Sequence, residues 1–319
     1  MTSLVAYTIS QVDNCRFTAW YENLRDESIL SIAIPLPEEF IRTLLEDKIQ
    51  VDEELYPDRF VDAVKESIKT LGGSVFVKLD WSSPRDAKWM LGNSLRCRTF
   101  EDIVVLLKSS DFISHDLTEV YEGCVDKADH VKSRPETFHL VLKKWCNFYD
   151  SMHFRCFVVD GSIVGISQRN CTEFYDFLQN ESTQENLCNA IESFFKKNFK
   201  SDYEFSDPNF IFDVYIDKNN RVFLLDINVF GCVTDGLLFN WEELHQLQMA
   251  SLEDNIDFRV VTSEKMAYCD PYSQYRVPLD LVDHLSTPGG FDDFIRQVAQ
   301  DNARKLSHDD SDSSSSETD

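Results

Sequence analysis

Basic residues are in short supply. The 319-residue chain has 31 Lys and Arg against 56 Asp and Glu, a net charge of −25. That shortage argues against binding the phosphate backbone of nucleic acids, which needs a basic surface. It also disfavours attachment to anionic membranes, and it favours basic protein partners. Apolar runs of membrane-spanning length are missing, so no transmembrane helix is expected. The start, Met1-Thr-Ser-Leu-Val-Ala-Tyr7, has neither a basic residue nor a long apolar core, and no secretory signal is expected there. The nine cysteines are scattered and form no CxxC, and the seven histidines form no HExxH. A disulfide frame, a zinc site and a His-based metal site are therefore disfavoured, and a reducing, cytoplasmic setting is expected. There is no GxxxxGK[ST], hence no P-loop, and no internal repeat.

What is present suits a packed fold. A hydrophobic fraction of 43% and 24 Phe supply the core of one large domain or two medium ones. Phe17, Trp20, Tyr21 and Leu24 fall at helical spacing, with Asp13-Asn14 as the expected cap. A strand is expected over 29–34. A helix should follow Pro35-Leu-Pro37 and bury Phe40, Ile41, Leu44 and Leu45. Further helices are expected over 59–71, 100–108 and 183–200, and strands over 75–79 and 138–145. Two strands around Asp160-Gly161 read as a hairpin. The exit loop of the 75–79 strand, Asp80-Trp-Ser-Ser-Pro-Arg85-Asp, is polar. Mixed strands and helices without a regular βα repeat predict an α+β arrangement. The end, from Ser307 to Asp319, has no large apolar residue, and disorder is expected over 301–319. Several of its serines have an acidic residue three positions on, so it is read either as a substrate for an acid-directed kinase or as a solubilising end.

The densest chemistry lies in Phe210-Ile-Phe-Asp213-Val-Tyr-Ile-Asp217-Lys-Asn-Asn-Arg221-Val-Phe-Leu-Leu-Asp226-Ile-Asn228-Val-Phe230. Two β-prone runs flank a polar turn, the pattern of a hairpin. Asp226 and Asn228 share a face, because strand side chains alternate. A symmetric loop over 218–221 puts Asp213 opposite Asp226. Like charges across a strand pair repel, and a buried carboxylate needs a partner. A bound hard cation such as Mg²⁺ would answer both needs with Asp213, Asp226 and Asn228 as oxygen ligands. The competing reading is that an Arg neutralises Asp213 and that Asp226 caps a loop.

Cations interrupt the other apolar strands. Lys78, Arg155 and Arg169 are each placed to contact phosphate. The alternatives are a snorkelling Lys78 and internal salt bridges for the two arginines. Together, strand cations for phosphate and carboxylates for Mg²⁺ make the parts of a nucleotide site. The segment Lys143-Lys144-Trp145 offers backbone groups and an aromatic surface to an adenine. Trp145 as a plain core aromatic is the other view.

These motifs carry a family resemblance. The stretches are Ile34-Pro-Leu-Pro-Glu-Glu-Phe-Ile41, Val77-Lys-Leu-Asp-Trp-Ser-Ser-Pro-Arg-Asp-Ala87, Phe154-Arg-Cys-Phe-Val-Val-Asp-Gly161, Gly165-Ile-Ser-Gln-Arg169 and Val222-Phe-Leu-Leu-Asp-Ile-Asn-Val-Phe-Gly231. In this order they resemble the cell division cycle protein 123 family, over nearly the whole chain to about Asp283. The resemblance implies an ATP-grasp-like fold in which ATP and Mg²⁺ lie between two α+β lobes, here expected at 1–141 and 142–300. It implies an assembly chaperone that binds the gamma subunit of eukaryotic translation initiation factor 2, and a monomer is expected. By the same resemblance Lys78 is the phosphate lysine, Lys143, Lys144 and Trp145 the adenine-facing connector, and Arg155 and Arg169 the phosphate-side arginines. Asp213, Asp226 and Asn228 are the metal ligands. ATP-grasp ligases usually carry Glu-x-Asn where this chain has Asp226-Ile-Asn228, and no Gly-rich lid is evident. A classical small-molecule reaction is therefore not expected, and a carboxylate–amine or carboxylate–thiol ligase is the alternative. If the facing carboxylates repel, Asp226→Ala should leave stability unchanged or slightly raised.

Overall fold

A computed structural model describes residues 6–46, 53–129, 134–201, 203, 205–249 and 256–263. The expected disordered tail and the far end of the second lobe lie outside the described residues.

The first sheet contains β1 (Ser31–Pro35), β2 (Val75–Lys78), β3 (Arg96–Cys97) and β4 (His139–Lys144), in the order β1-β4-β2-β3 with every pairing antiparallel. Strand alternation sorts its two faces. Val75, Val77, Leu140 and Leu142 point into a core completed by Phe40, Phe60, Val64, Phe100 and Ile103. Those come from the helices Glu38–Leu45, Asp58–Thr70 and Phe100–Lys108. A fourth helix, Asp111–Glu119, closes this layer with Ile113 and Leu117. The alternate residues, Phe76, Lys78, Val141 and Lys143, are left for the opposite face.

The second sheet contains β5 (His153–Val159), β6 (Ser162–Gln168), β7 (Phe210–Ile216), β8 (Val222–Val229) and β9 (Asp257–Arg259), in the order β8-β7-β5-β6-β9. Among the described strands of this sheet, β9 pairs parallel against β6 and the other strand pairs are antiparallel. The turn between β5 and β6 takes positive φ at both Asp160 (47°) and Gly161 (70°), as a tight hairpin of this twist requires. A helix, Glu181–Phe195, covers one face, and its Phe195 ring stacks on Phe212 at 5.8 Å. Its expected continuation to residue 200 becomes a π-type turn, Lys196–Ser201. The other face carries a small cluster of Phe157, Val159, Ile211, Phe239 and Leu244, the last from the helix Trp241–Met249.

The β7–β8 hairpin forms and sets Asp213 opposite Asp226, but not through a symmetric 218–221 loop. Near the turn, Ile216 faces Val222 and Val214 faces Leu224. The register then slips at Leu225, a β-bulge, before Asp213 meets Asp226. This slip decides the site. Val222 and Leu224 point into the phenylalanine core, and without the extra residue Asp226 would follow them there. Because side chains alternate with period two, one added residue turns Asp226 and Asn228 to the face that holds Asp213 and Arg155.

The N-terminal segment also departs from expectation. Asp13 and Asn14 lie within a short helix, Ile9–Asn14, capped by Thr8, and a single turn, Phe17–Trp20, follows. Asp13 instead accepts from the Tyr121 hydroxyl (2.8 Å), and Asn14 donates to Asp207 (2.8 Å). Tyr7, Phe17, Trp20 and Leu24 share one buried cluster with Val141 of the first sheet and Phe154, Phe212 and Val214 of the second. The segment packs between the sheets rather than within the first lobe alone, and β4 carries the first sheet past residue 141 to Lys144.

Gly231 follows β8 directly against Tyr7. A Cβ there would lie 2.4 Å from the Tyr7 ring. Gly231→Ala should therefore cost about 1–3 kcal/mol in urea denaturation. An unchanged midpoint would mean that Tyr7 moves aside freely.

Candidate functional site

Lys78 ends β2 on the face away from the helices. It is 1% exposed, and its Nζ donates to both Asp226 oxygens, at 2.6 and 2.7 Å. This pair joins the first sheet to the second. Lys143, on the neighbouring strand, donates its Nζ to the carbonyl of the bulged Leu225 and lies 4.8 Å from the Phe17 ring centre and 5.8 Å from that of Trp20. Burial pushes its ammonium down to about 7, against the opposing pull of Asp226.

Arg155 and Asp213 face each other on β5 and β7. The guanidinium grips the carboxylate with two bonds, Nε to Oδ1 and Nη2 to Oδ2, both 2.8 Å. Its Nη1 donates to the Asp235 carbonyl at 2.7 Å. Arg169, just beyond β6, approaches the same carboxylate at 3.4 Å. Burial by itself would raise the Asp213 carboxyl. The two arginines outweigh it and hold the group well below the usual carboxylate range. The reading in which an Arg neutralises Asp213 is thus the arrangement present. Asp226 takes the buried Lys78 rather than capping a loop.

The two sheets and the 145–150 connector enclose a cleft of about 970 Å³. That is the size of a site for a nucleotide-sized ligand. Lys78, Arg85, Lys88, Lys143, Lys144 and Arg169 line it, against Asp150, Glu173, Asp213, Asp226 and Asp235. In a chain with nearly two acids per base, this wall gathers six basic side chains against five acidic ones, a far more basic balance than the chain as a whole.

Seven of the nine residues singled out from the sequence reach this wall: Lys78, Lys143, Lys144, Trp145, Arg169, Asp213 and Asp226. Arg155 stands behind Asp213 with its fork engaged, so the internal-salt-bridge alternative describes it. Asn228 shares the Asp226 face but does not line the cleft, and its buried Nδ2 has no hydrogen-bond partner among the described residues. Trp145 is half-buried, not a core aromatic. Its indole N–H donates to Asn147 (3.1 Å), and Arg96 lies 6.0 Å from the ring centre. Among the described residues no group of three or more His, Cys, Asp or Glu is placed to hold a metal. The candidate donor set is instead two carboxylates and one amide. It suits a hard cation, since each carboxylate keeps lone pairs beyond those its cation partner uses and the Asn228 amide is uncommitted. Arg85, Lys88, His153 and Asp235 are wall residues that spacing alone did not indicate. Arg85 and Lys88 lie in a 3-10 helix, Arg85–Leu91, His153 starts β5 and Asp235 lies in a loop, so strand alternation gives none of them a face.

The described residues form an α+β fold of two sheets around a cleft. A D123 family profile matches residues 53–285, and the chain belongs to that family. It is 39% identical over 316 residues to a translation initiation factor eIF2 assembly protein of Xenopus tropicalis, covering 87% of this chain and 92% of that protein. The protein of the same name from Schizosaccharomyces pombe is 35% identical over 298 residues, covering 86% and 91%. Among solved structures, Cdc123 from Schizosaccharomyces pombe superposes with a TM-score of 0.70 at 38% identity, over 80% of this chain and 98% of that one. Among the described residues no helix is long and apolar enough to cross a membrane.

The Lys78–Asp226 pair reverses one expectation. Asp226→Ala relieves no repulsion; it strands a buried ammonium, and breaking such a pair from one side should cost roughly 3 kcal/mol. Adding Lys78→Met to Asp226→Ala should recover much of that loss. Chemical denaturation of the two single variants and the double variant tests this, and additive losses would count against the pairing.

Lys143 makes stability depend on pH. Its ammonium titrates near 7 in the folded chain and at 10.5 when free. Between those values the unfolded chain binds the extra proton, so stability should rise with pH by up to about 1.4 kcal/mol per unit. The gain over a Lys143→Met variant should grow across that window. A constant difference would mean that Lys143 titrates normally.

Proposed function

We propose that this chain is an ATP- and Mg²⁺-binding assembly chaperone for eukaryotic translation initiation factor 2. It acts in the cytoplasm as a monomer and grips the gamma subunit. One observation carries the nucleotide part: a cleft of nucleotide size, walled by paired lysines and arginines, in a chain whose net charge is −25. The names of the eIF2 assembly relatives support the partner.

In this reading Lys78, Lys143 and Arg169 face the phosphates. Lys144 and Trp145 border the base. Their backbone N–H groups are already used, Lys144 to the Leu30 carbonyl and Trp145 to that of Ser74, which holds the connector rigid. Asp213, Asp226 and Asn228 would hold Mg²⁺, which when bound neutralises phosphate charge. Arg155 acts through Asp213 by fixing its position. An entering phosphate competes for the Lys78 ammonium, and that competition loosens the Lys78–Asp226 tie between the sheets. Nucleotide thereby alters the surface offered to the gamma subunit. Such coupling requires that the gamma subunit bind the nucleotide-loaded and empty forms with different affinity.

Titration calorimetry with ATP should give one site that needs Mg²⁺. Capture of purified gamma subunit should fall on adding EDTA. Equal capture with ATP·Mg²⁺, with EDTA and by an Asp226→Asn variant would refute the coupling.

A further inference from the structure

Two aromatic rings are left in water beside the cleft. Among the described residues the exposed aromatic side chains are Tyr149, at 72% exposure, and Phe177, at 46%. Tyr149 belongs to the connector before β5, and Phe177 to a short 3-10 turn, Asp176–Gln179, that follows β6. The two loops meet. Asn147, Phe148 and Asp150 line the cleft together with Asn170, Thr172 and Glu173. The Tyr175 hydroxyl donates to Glu173 (2.9 Å), and Asp150 acts on the same hydroxyl through space. The Tyr175 ring centre lies 6.3 Å from that of Phe177. Tyr149 and Phe177 thus mark the two ends of one strip along this edge of the cleft, and neither ring lines the cleft itself.

The strip carries charge of one sign. No Lys or Arg occurs from Trp145 to Phe154 or from Asn170 to Phe195, whereas Asp150, Glu173, Asp176, Glu181, Glu185 and Glu192 do. Asp150, Glu173 and Asp176 are exposed, and among the described residues none of the three pairs with a cation. The Tyr149 side chain, among the same residues, makes no hydrogen bond and stacks on no ring. Rings and carboxylates with nothing to hold fit one kind of side chain. The face of an aromatic ring attracts the cation of Lys or Arg, and a carboxylate takes its N–H groups. Nucleic acid and anionic lipid are repelled by the same acids. A second copy of the strip would set like charges against each other.

We infer that the strip from Tyr149 to Phe177 is a docking surface for a basic segment of the protein that this chain grips. This rests on the partner reading above and names the surface and the chemistry of the contact. The two rings supply buried anchors, as aromatic side chains do at the centre of protein interfaces. The acids beside them steer the basic segment and fix its register. A partner seated on the strip also borders the cleft, since Asp150 and Glu173 belong to both.

The test uses the full chain and purified gamma subunit, for wild type, Tyr149→Ser, Phe177→Ser and the double variant, with thermal midpoint and ATP·Mg²⁺ affinity measured in parallel. The double variant should bind the gamma subunit about tenfold or more weakly, with each single variant between. Its midpoint and its ATP·Mg²⁺ affinity should stay close to those of wild type, since neither ring lines the cleft. Wild-type binding of the gamma subunit should weaken as salt rises, and Asp176→Asn should flatten that dependence. Equal binding by wild type and the double variant overturns the inference and leaves the partner reading intact. So does binding that salt leaves unchanged, because the occupant is then not basic. A loss that tracks a fall in midpoint or in ATP·Mg²⁺ affinity overturns it too, because the rings then hold the fold or the cleft. So does a wild-type dimer in sedimentation that the double variant abolishes, because a second copy then covers the strip. If wild type does not bind the gamma subunit, the partner reading fails and this inference with it.

Discussion

The Lys78–Asp226 pair governs how the rest of the molecule is arranged. An ammonium at 1% exposure is tolerable only with a carboxylate against it. The carboxylate comes from the other sheet, so the two halves are joined by a charge that neither can leave unpaired. The same logic settles the second carboxylate. Asp213 faces Asp226 directly, and two anions there would repel. Arg155 neutralises one and Lys78 the other. The facing carboxylates are thus accommodated by side chains of the protein itself, and these cations and anions together form the cleft wall.

Apolar packing reinforces that tie. The N-terminal segment lays Phe17 and Trp20 beneath Lys143, and Phe17 also lies within 5.9 Å of Lys78. Aromatic faces stabilise the ammonium groups where water is excluded. The same rings belong to a core that contains Val141 from one sheet and Val214 from the other. A wide hinge motion would tear this shared core. The adaptable parts are the ion pairs and loops at the cleft, which makes exchange of partners among charges the more economical response to an anionic ligand. The strongly acidic balance of the chain also works against nonspecific polyanions.

Much of this was legible in the chain itself. Alternation marked the strands, and Asp160-Gly161 marked its turn. Lys78, Arg155 and Asp213 stood out because a charge within an apolar strand demands a reason. The ordered motifs identified the family. Each of these signals is local: period-two burial, a turn that needs positive φ, a run of residues in sequence.

Other features were decided only when distant segments met. Parity along β8 would send Asp226 into the phenylalanine core; the bulge at Leu225 turns it out, and the freed carbonyl is taken by Lys143 from another sheet. Whether Asp213 faced a metal or an arginine depended on which strand lay beside it. The loop after β2 is held by the buried Asp116, 34 residues from the Ser82 that it binds. Composition and periodicity determined the elements, the charge balance and the kinds of chemistry within reach. Register, partner choice and the aim of each charged side chain came from tertiary contacts, because a buried charge takes its state from neighbours that the linear chain holds far apart.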